Sequence, residues 1–495
     1  MLLALPPQTE PNTGSFPQDR DAIRTWMDAL SPVAKPDDAA ELLRGLRHSN
    51  RLVNDASSRR AVLEEFRPTL KALANTLTAT IIPQPLPMAA PFQKASALLD
   101  ELLREEANVW KILLAHSEKP QLADAAQALK ALHNQAAAAV QQYRKVPRNC
   151  LRDAHQIYAF AESEGLLVDT KVDRGAGADD RERLLNAHAG IMILATMDLR
   201  QIRAKQLDLS IAFLSEHRDK IRLNSAPPES LWRESDCVVN LSSSEAPVPA
   251  ASYLGDLDNP ALRWLDFSDL MQAVDSRLAR TRTTASMTLG ADTLERQTLT
   301  RLSHDLAGSR NRKLARCIGY KPVVLAFGHQ QISNQLMRDV DDSSPMVEDF
   351  NVDWTRINYS TKGAAFRSVD PSIGTAQVGE LIAIREDAKT ITLGIIRWVH
   401  AADDGCISLG MEFLSNGVMP VEVTRDNADD GVADEALIIA CRIEGKVTQT
   451  ILLPGYRFQT GDRLTASQTD KHKRIKLGQC LQSNGLFSQF VLNQA

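Results

Sequence analysis

From about residue 20 to 310, apolar residues recur at three- and four-residue steps inside long segments rich in Ala, Leu, Arg, Glu and Gln, a period that predicts amphipathic helices. Residues 92–116 carry it most plainly. Leu98, Leu99, Leu102, Leu103, Val109, Trp110, Leu113 and Leu114 form one continuous stripe, with Glu101, Arg104 and Glu105 off it. Such a helix buries a wide face against its partners. Prolines at 83, 85, 87 and 91 break the pattern before this helix, and Gly175, Gly177, Asp179 and Asp180 break it before a further helical stretch over 183–215. Helices are also expected over 260–282 and 292–316, with Trp110, Trp232 and Trp264 on helical stripes. The run from Ser242 to Pro249, with three serines and two prolines, reads as a linker. No 34-residue or similar repeat is present, so the region predicts a bundle rather than a solenoid.

Near Tyr320 the texture changes to period two. Pro322 to Phe327 is a compact apolar run, an acidic insertion follows around Asp339 to Asp349, and strands resume at Trp354 to Ile357. Leu381 to Ile384, Ile391 to Val399 and Ile407 to Phe413 come next. In the last of these, Ile407, Leu409, Met411 and Phe413 alternate with Ser408, Gly410 and Glu412, which implies one buried face. Leu437 to Glu444, Val447 to Leu453, Arg463 to Ser467 and Arg474 to Leu481 read as further strands beyond an Asp-rich connection over 426–434. Short strands without intervening helices point to an antiparallel barrel or sandwich.

The bulk numbers narrow the class. A chain of 495 residues with 43% hydrophobic and 24% charged residues holds several domains of an ordinary soluble protein. The expected divisions are a helical region over 1–245, a helical segment and basic arm over 250–318, a barrel over 319–420, and a β extension or second small barrel over 421–495. A net charge of -5 argues against overall attraction to DNA. Six cysteines without a Cys-x-x-Cys pair read as reduced, mostly buried thiols. The first five residues carry no base ahead of their apolar run, and no apolar stretch approaches the length of a transmembrane segment, so a cytoplasmic location is expected.

Two elements carry candidate chemistry. Arg310, Arg312, Lys313 and Arg316 cluster just ahead of the first strand of the barrel, and Arg can pair bidentately with phosphate while stacking on a purine. Basic residues at a helix C-terminus, opposing the macrodipole, are the ordinary alternative. The second element is Asn358-Tyr359-Ser360-Thr361-Lys362-Gly363, whose short polar side chains can hydrogen-bond a base edge while the glycine allows close approach. A plain turn, with Asn and Ser bonded to nearby backbone and Gly363 supplying permissive dihedrals, accounts for it equally well.

In that order, followed by Gly394-Ile395-Ile396-Arg397-Trp398 and Leu409-Gly410-Met411-Glu412-Phe413, these elements resemble the PilZ family over residues 310–420. PilZ domains are similar in having Arg-x-x-x-Arg before the first strand and Asp/Asn-x-Ser-x-x-Gly at the end of a later one. The resemblance implies a six-stranded barrel that binds cyclic di-GMP, with Arg312 and Arg316 on phosphates and guanines, Asn358 and Ser360 on a base, and Gly363 permitting the turn. Two departures stand out: an insertion over Gln330 to Glu348, and Arg310-Asn311 where adjacent bases are common. The resemblance also implies an output in motility, adhesion or exopolysaccharide control through an unidentified protein partner of the helical region.

Other chemistries find little footing. The ten histidines are scattered without a His-Glu-x-x-His pair, and neither a phosphate loop nor a nucleophile elbow occurs. No metal, cofactor or catalytic residue is expected, and His304 and His329 read as surface or packing residues. The basic run over 471–476 reads as an exposed hairpin rather than a nucleic-acid patch, since no aromatic residues are interleaved with it. The expected protein is therefore an α+β multidomain receptor for cyclic di-GMP and not an enzyme. The alternative is a structural or adaptor protein with a PilZ-like barrel that binds no nucleotide and acts through its helices.

Overall fold

The structure is a computed structural model that describes residues 3–9, 20–29, 36–82, 84–167, 176–227, 236–284, 291–307, 315–341, 351–370, 376–385, 391–402, 404–426, 433–443, 445–468 and 471–494. The chain forms two compact units, one of residues 1–84, 90–199 and 204–311, the other of residues 85–89, 200–203 and 312–495. The first is helical and the second is built of strands.

Helices α1 (Arg20–Asp28), α2 (Pro36–Arg51), α3 (Ala56–Ile81), α4 (Ala90–His116), α5 (Leu122–Gln141), α6 (Arg148–Ser163), α7 (Ala176–Thr196) and α8 (Ala204–Glu216) make up most of the first unit. Asp55 caps α3, accepting from the amides of Ser57 and Ser58 at 2.9 Å each, and the bonds it accepts from the hydroxyls of the same two serines, together with those amides, hold its carboxyl well below the usual range. The predicted stripe of α4 is buried, and from Ala107 to Leu114 every residue is covered, because α2, α3 and α5 all pack on this helix. Leu98 alone among the eight stripe residues is half-buried.

A small antiparallel sheet completes the unit, in the order β1 (Arg222–Asn224), β4 (Leu262–Asp266), β2 (Cys237–Asn240), β3 (Val248–Pro249). It corrects two expectations. The presumed linker over 242–249 is the connection from β2 into β3, held by a turn in which Asn240 accepts from the Ser242 amide at 2.9 Å. The presumed helix over 260–282 is a strand followed by α9 (Ser268–Thr284), so Trp264 lies on β4, in the core with Val238, Ala250 and Leu262. Trp232 lies outside the described residues. The helix expected over 292–316 is α10 (Ala291–Leu306).

The second unit contains two closed, six-stranded antiparallel barrels. The first is β5 (Cys317–Phe327), β6 (Asn351–Ser360), β7 (Gly363–Ser368), β8 (Leu381–Arg385), β9 (Ile391–Ala401) and β10 (Ile407–Ser415), in the order β10-β7-β6-β5-β8-β9. The second follows after two residues: β11 (Val418–Arg425), β12 (Asp434–Ile443), β13 (Lys446–Pro454), β14 (Arg463–Gln468), β15 (Lys471–Ser483) and β16 (Phe487–Gln494). The basic run over 471–476 starts β15 and pairs with β14 as an exposed antiparallel hairpin.

Between β5 and β6 lies α11 (Gly328–Asp341), where the sequence suggested only an insertion. Gly328, at a φ of +74°, turns the chain out of β5. Ile332 and Leu336, one helical turn apart, then enter a core made of Leu381, Leu393 and Ile395 from the first barrel and Leu437, Ile439, Leu452 and Phe487 from the second. His329 is half-buried, with Nε2 3.2 Å from the carbonyl oxygen of Leu452; His304 is exposed beside Asp305. The thiols depart from expectation as well. Only Cys150 and Cys237 are buried, Cys406 and Cys441 are half-buried, and Cys317 and Cys480 are exposed, each in a stretch of strand where its neighbour is exposed as well.

No helix among the described residues is long and apolar enough to cross a membrane.

Candidate functional site

The candidate residues converge where β5 begins and the β6–β7 hairpin turns. Arg316 immediately precedes β5, and β5 runs antiparallel to β6 with Cys317 opposite Tyr359 and Ile318 opposite Asn358. That register places Arg316 beside the last turn of β6. Its Nη1 donates to Asn358 Oδ1 at 3.1 Å. The two sequence motifs, 42 residues apart, therefore meet through their side chains. Arg312, with Arg310 and Lys313, lies outside the described residues.

Ser360 faces Gly363 across the hairpin. The Ser360 hydroxyl accepts from the Lys362 amide at 3.3 Å and donates to the Gly363 carbonyl at 3.3 Å, which closes the turn from within. From outside the hairpin, the Phe413 amide donates to the Lys362 carbonyl at 2.9 Å. The turn is thus tied to β10 on one side and β5 on the other.

Gly363 is needed for a different reason from the one its place in a turn suggested. Its φ is not positive. A Cβ there would stand 2.2 Å from the Met411 carbonyl oxygen of β10, so glycine permits the close approach of two strands. The same holds for the two later glycines. A Cβ on Gly394 would meet the Glu412 carbonyl oxygen at 2.2 Å, and one on Gly410 would lie 1.9 Å from Nε1 of Trp398. Trp398 is opposite Gly410 across β9 and β10, and one position away the Arg397 guanidinium pairs with Glu412 at 2.6 Å. The glycine, tryptophan and arginine of these later strands are therefore packing partners that shape the wall behind the hairpin.

Sequence reasoning missed three neighbours. A bulge between Arg356 and Asn358 puts the Arg356 guanidinium over the Tyr359 ring, 4.7 Å from its centroid. Gly319 lies beside that ring, whose edge would be in ordinary van der Waals contact, at 3.5 Å, with a Cβ at that position. Ile318, directly opposite Asn358, is 81% exposed, and Tyr320 is 77% exposed. Exposed apolar side chains beside an arginine and an asparagine suit a flat heterocycle with a charged substituent. Only the alternation of β6 hinted at this; the bulge has no sequence signal.

Among the described residues no group of three or more His, Cys, Asp and Glu side chains is placed to hold a metal. Three histidines of the helical unit are instead buried among apolar groups. His155 Nδ1 lies 3.4 Å from His188 Nε2, and the His188 ring stacks on Tyr158. Burial pushes His133 and His155 down to about 4 and His188 well below its ordinary value. These rings are neutral packing elements.

Comparison with known proteins bears first on the helical unit. The N-terminal domain model of the cyclic-di-GMP receptor FimW matches residues 21–235. The match ends before the barrels and covers the half of the chain that motif reading left without a counterpart. Along its whole length the chain is also 20% identical to the cyclic-di-GMP receptor FimW of Pseudomonas aeruginosa, in an alignment of 568 positions that covers 94% of that protein. No solved structure matches.

Proposed function

We propose that this chain is a receptor for cyclic di-GMP, with the ligand bound where Arg316 meets the β6–β7 hairpin. The observation that carries the reading is the bond from Arg316 to Asn358, which joins the basic arm and the polar turn in one place. Arg316 supplies a guanidinium for a phosphate, Asn358 and Ser360 supply hydrogen-bonding groups for a guanine edge, and Ile318 supplies an apolar flank. Arg312 acts with Arg316 on the phosphates and guanines. The name of the FimW relative and the order of PilZ-like motifs support the same ligand, and the matching N-terminal family model lies outside the PilZ-like residues.

Binding acts through arrangement rather than chemistry. One of the places where the chain passes from one compact unit to the other falls between residues 311 and 312, inside the basic segment, so a ligand that engages Arg312 and Arg316 acts on one of the connections between them. The helical unit then presents a changed surface to a protein partner that controls motility, adhesion or exopolysaccharide output, in a cytoplasmic setting.

Calorimetric titration of the full chain with cyclic di-GMP tests this. Heat of binding is expected for the wild type and a marked loss for Arg316→Ala and Ser360→Ala. A wild-type protein that releases no heat while a control receptor does would overturn the reading.

A further inference from the structure

A second cationic site lies in the helical unit, apart from every residue discussed above for cyclic di-GMP. Residues of α2, α4 and α6 and the N-terminal segment Ala4–Pro7 enclose a cleft of about 550 Å3, within the range of small-ligand sites. Its lining is unlike the chain as a whole. Arg47, Arg51, Arg104, Lys111 and Arg152 contribute five cations and Glu105 and Asp153 two carboxylates, in a protein whose net charge is -5.

Both carboxylates are already engaged. Glu105 is buried and accepts from Asn50 at 2.7 Å and from Arg51 at 3.4 Å, with Arg47 Nε at 3.7 Å. Asp153 is buried and takes Lys111 at 2.8 Å and Arg152 at 3.0 Å. Glu101, outside the lining, pairs with Arg47. Arg104 is exposed and makes no ion pair among the described residues. Even with Glu101 counted, the cations are in excess by two. Lys111, 1% exposed, feels that excess: burial lowers its pKa first, and Arg152 and Arg104 lower it further while Asp153 opposes them. An anion entering the cleft relieves this repulsion.

The fourth wall is fixed in advance. The Ala4 amide donates to Gln156 Oε1 at 2.9 Å, Gln8 donates to the Asn50 carbonyl at 2.8 Å, and the Thr9 amide donates to the Arg51 carbonyl at 2.7 Å. Between these anchors Pro6 and Pro7 have no amide hydrogen to offer, so the segment adds an apolar stretch to a lining that also holds the arginines. Guanidinium groups and an apolar stretch in one lining suit a phosphate ester better than a free carboxylate, because Arg matches the phosphate fork and the apolar stretch accommodates the esterified part.

We propose that this cleft binds the phosphate group of a small phosphorylated molecule, with Arg104 and Arg152 as its principal ligands. Titration calorimetry of the full chain with inorganic pyrophosphate at low ionic strength is the test. Binding is expected for the wild type and, unchanged, for Arg316→Ala. Arg104→Glu, at an exposed position, is expected to weaken it about tenfold or more, and Arg152→Gln to weaken it as well. Absence of heat with the wild type, or an unaltered affinity in Arg104→Glu with the helical content intact, would overturn the proposal. Cyclic di-GMP titrations of Arg104→Glu separate the two sites, since that variant is expected to keep wild-type affinity for the dinucleotide whichever way the pyrophosphate result falls.

Discussion

The Arg316 guanidinium donates to the Asn358 side-chain oxygen at 3.1 Å, across the start of β5 and the end of β6. Both groups are exposed or partly so, hence the bond adds little to stability and its value lies in orientation. Asn358→Ala is expected to leave the unfolding midpoint within a degree or two of wild type while weakening cyclic di-GMP roughly tenfold. Arg316→Ala, which removes a charged ligand as well, is expected to cost roughly ten- to hundredfold. Calorimetry beside a thermal melt checks both, and a variant that melts early without losing affinity would contradict the division of roles.

Gly363→Ala makes the opposite prediction. The added methyl meets the Met411 carbonyl oxygen at 2.2 Å, and backbone on backbone cannot yield as a flexible side chain does. Destabilisation by about 1–3 kcal/mol is expected from the overpacking. Denaturant unfolding followed by intrinsic tryptophan fluorescence would show it; an unchanged midpoint would place the hairpin further from β10 than described. Any loss of ligand binding in this variant reports on the barrel wall, not on a contact with the ligand.

Acid acts on the two units with different signs. His133 and His155 titrate at about 4 when folded and near 6.5 when unfolded, so the unfolded helical unit takes up more protons between those values. Stability from these histidines is full above about pH 6.5 and is lost as the pH falls through 4. Glu380, just before β8, is pushed up to about 7 by burial, opposed by the bond its carboxylate accepts from the Gln377 amide. Its contribution is full below about 4.5 and is lost as the pH rises through 7. His329 opposes Glu380 within the same unit, since burial lowers its pKa. Hydrogen exchange resolved by segment at pH 5 and pH 8 is expected to show weaker protection of α5 and α6 in acid. Glu380→Gln is expected to raise barrel protection at pH 8, and no rise would count against the buried carboxylate.

The ion pair of Lys111 and Asp153, 1% and 3% exposed, is the most deeply buried one among the described residues of the helical unit. Asp153→Ala leaves Lys111 buried without its partner and is expected to destabilise by about 3–5 kcal/mol. Replacing both residues, Lys111→Met with Asp153→Leu, is expected to recover most of that loss, because no buried charge is then left uncompensated and Arg152, the other partner of Asp153, is 44% exposed to water. Urea denaturation of the single and double variants measures the difference.

Much of this architecture was legible because periodicity survives packing. The stripe from Leu98 to Leu114 is buried apart from the half-buried Leu98, and helices followed by closed antiparallel strands were expected. The strand over Ile407 to Phe413 was legible but its single buried face was not, since Ser408 and Gly410 are buried along with Ile407, Leu409 and Met411, and Phe413 is only half-buried. Short elements were harder. Leu262 to Asp266 is five residues long, and Leu262, Trp264 and Leu265 fit a helix as well as a strand until Val238 and Ala250 are placed beside them. In α11 Ile332 and Leu336 enter the core, and Ile332, Leu336, Met337 and Val340 do recur at helical steps, but the acidic residues that follow make the stretch read as an insertion. At the candidate site, motif order located Arg316, Asn358, Ser360 and Gly363, whereas the contact of Arg356 with Tyr359 depends on a bulge that spacing does not reveal.

The core that α11 shares with both barrels bears on how this chain can change over evolutionary time. A chain ending after Ser415 would lack Leu437, Ile439, Leu452 and Phe487, and the apolar side chains of Ile332, Leu381 and Leu393 would face water. Losing the second barrel in one step therefore damages the first. The two barrels are expected to be kept or lost together, and substitutions at Ile332 or Leu336 are expected to be felt in both.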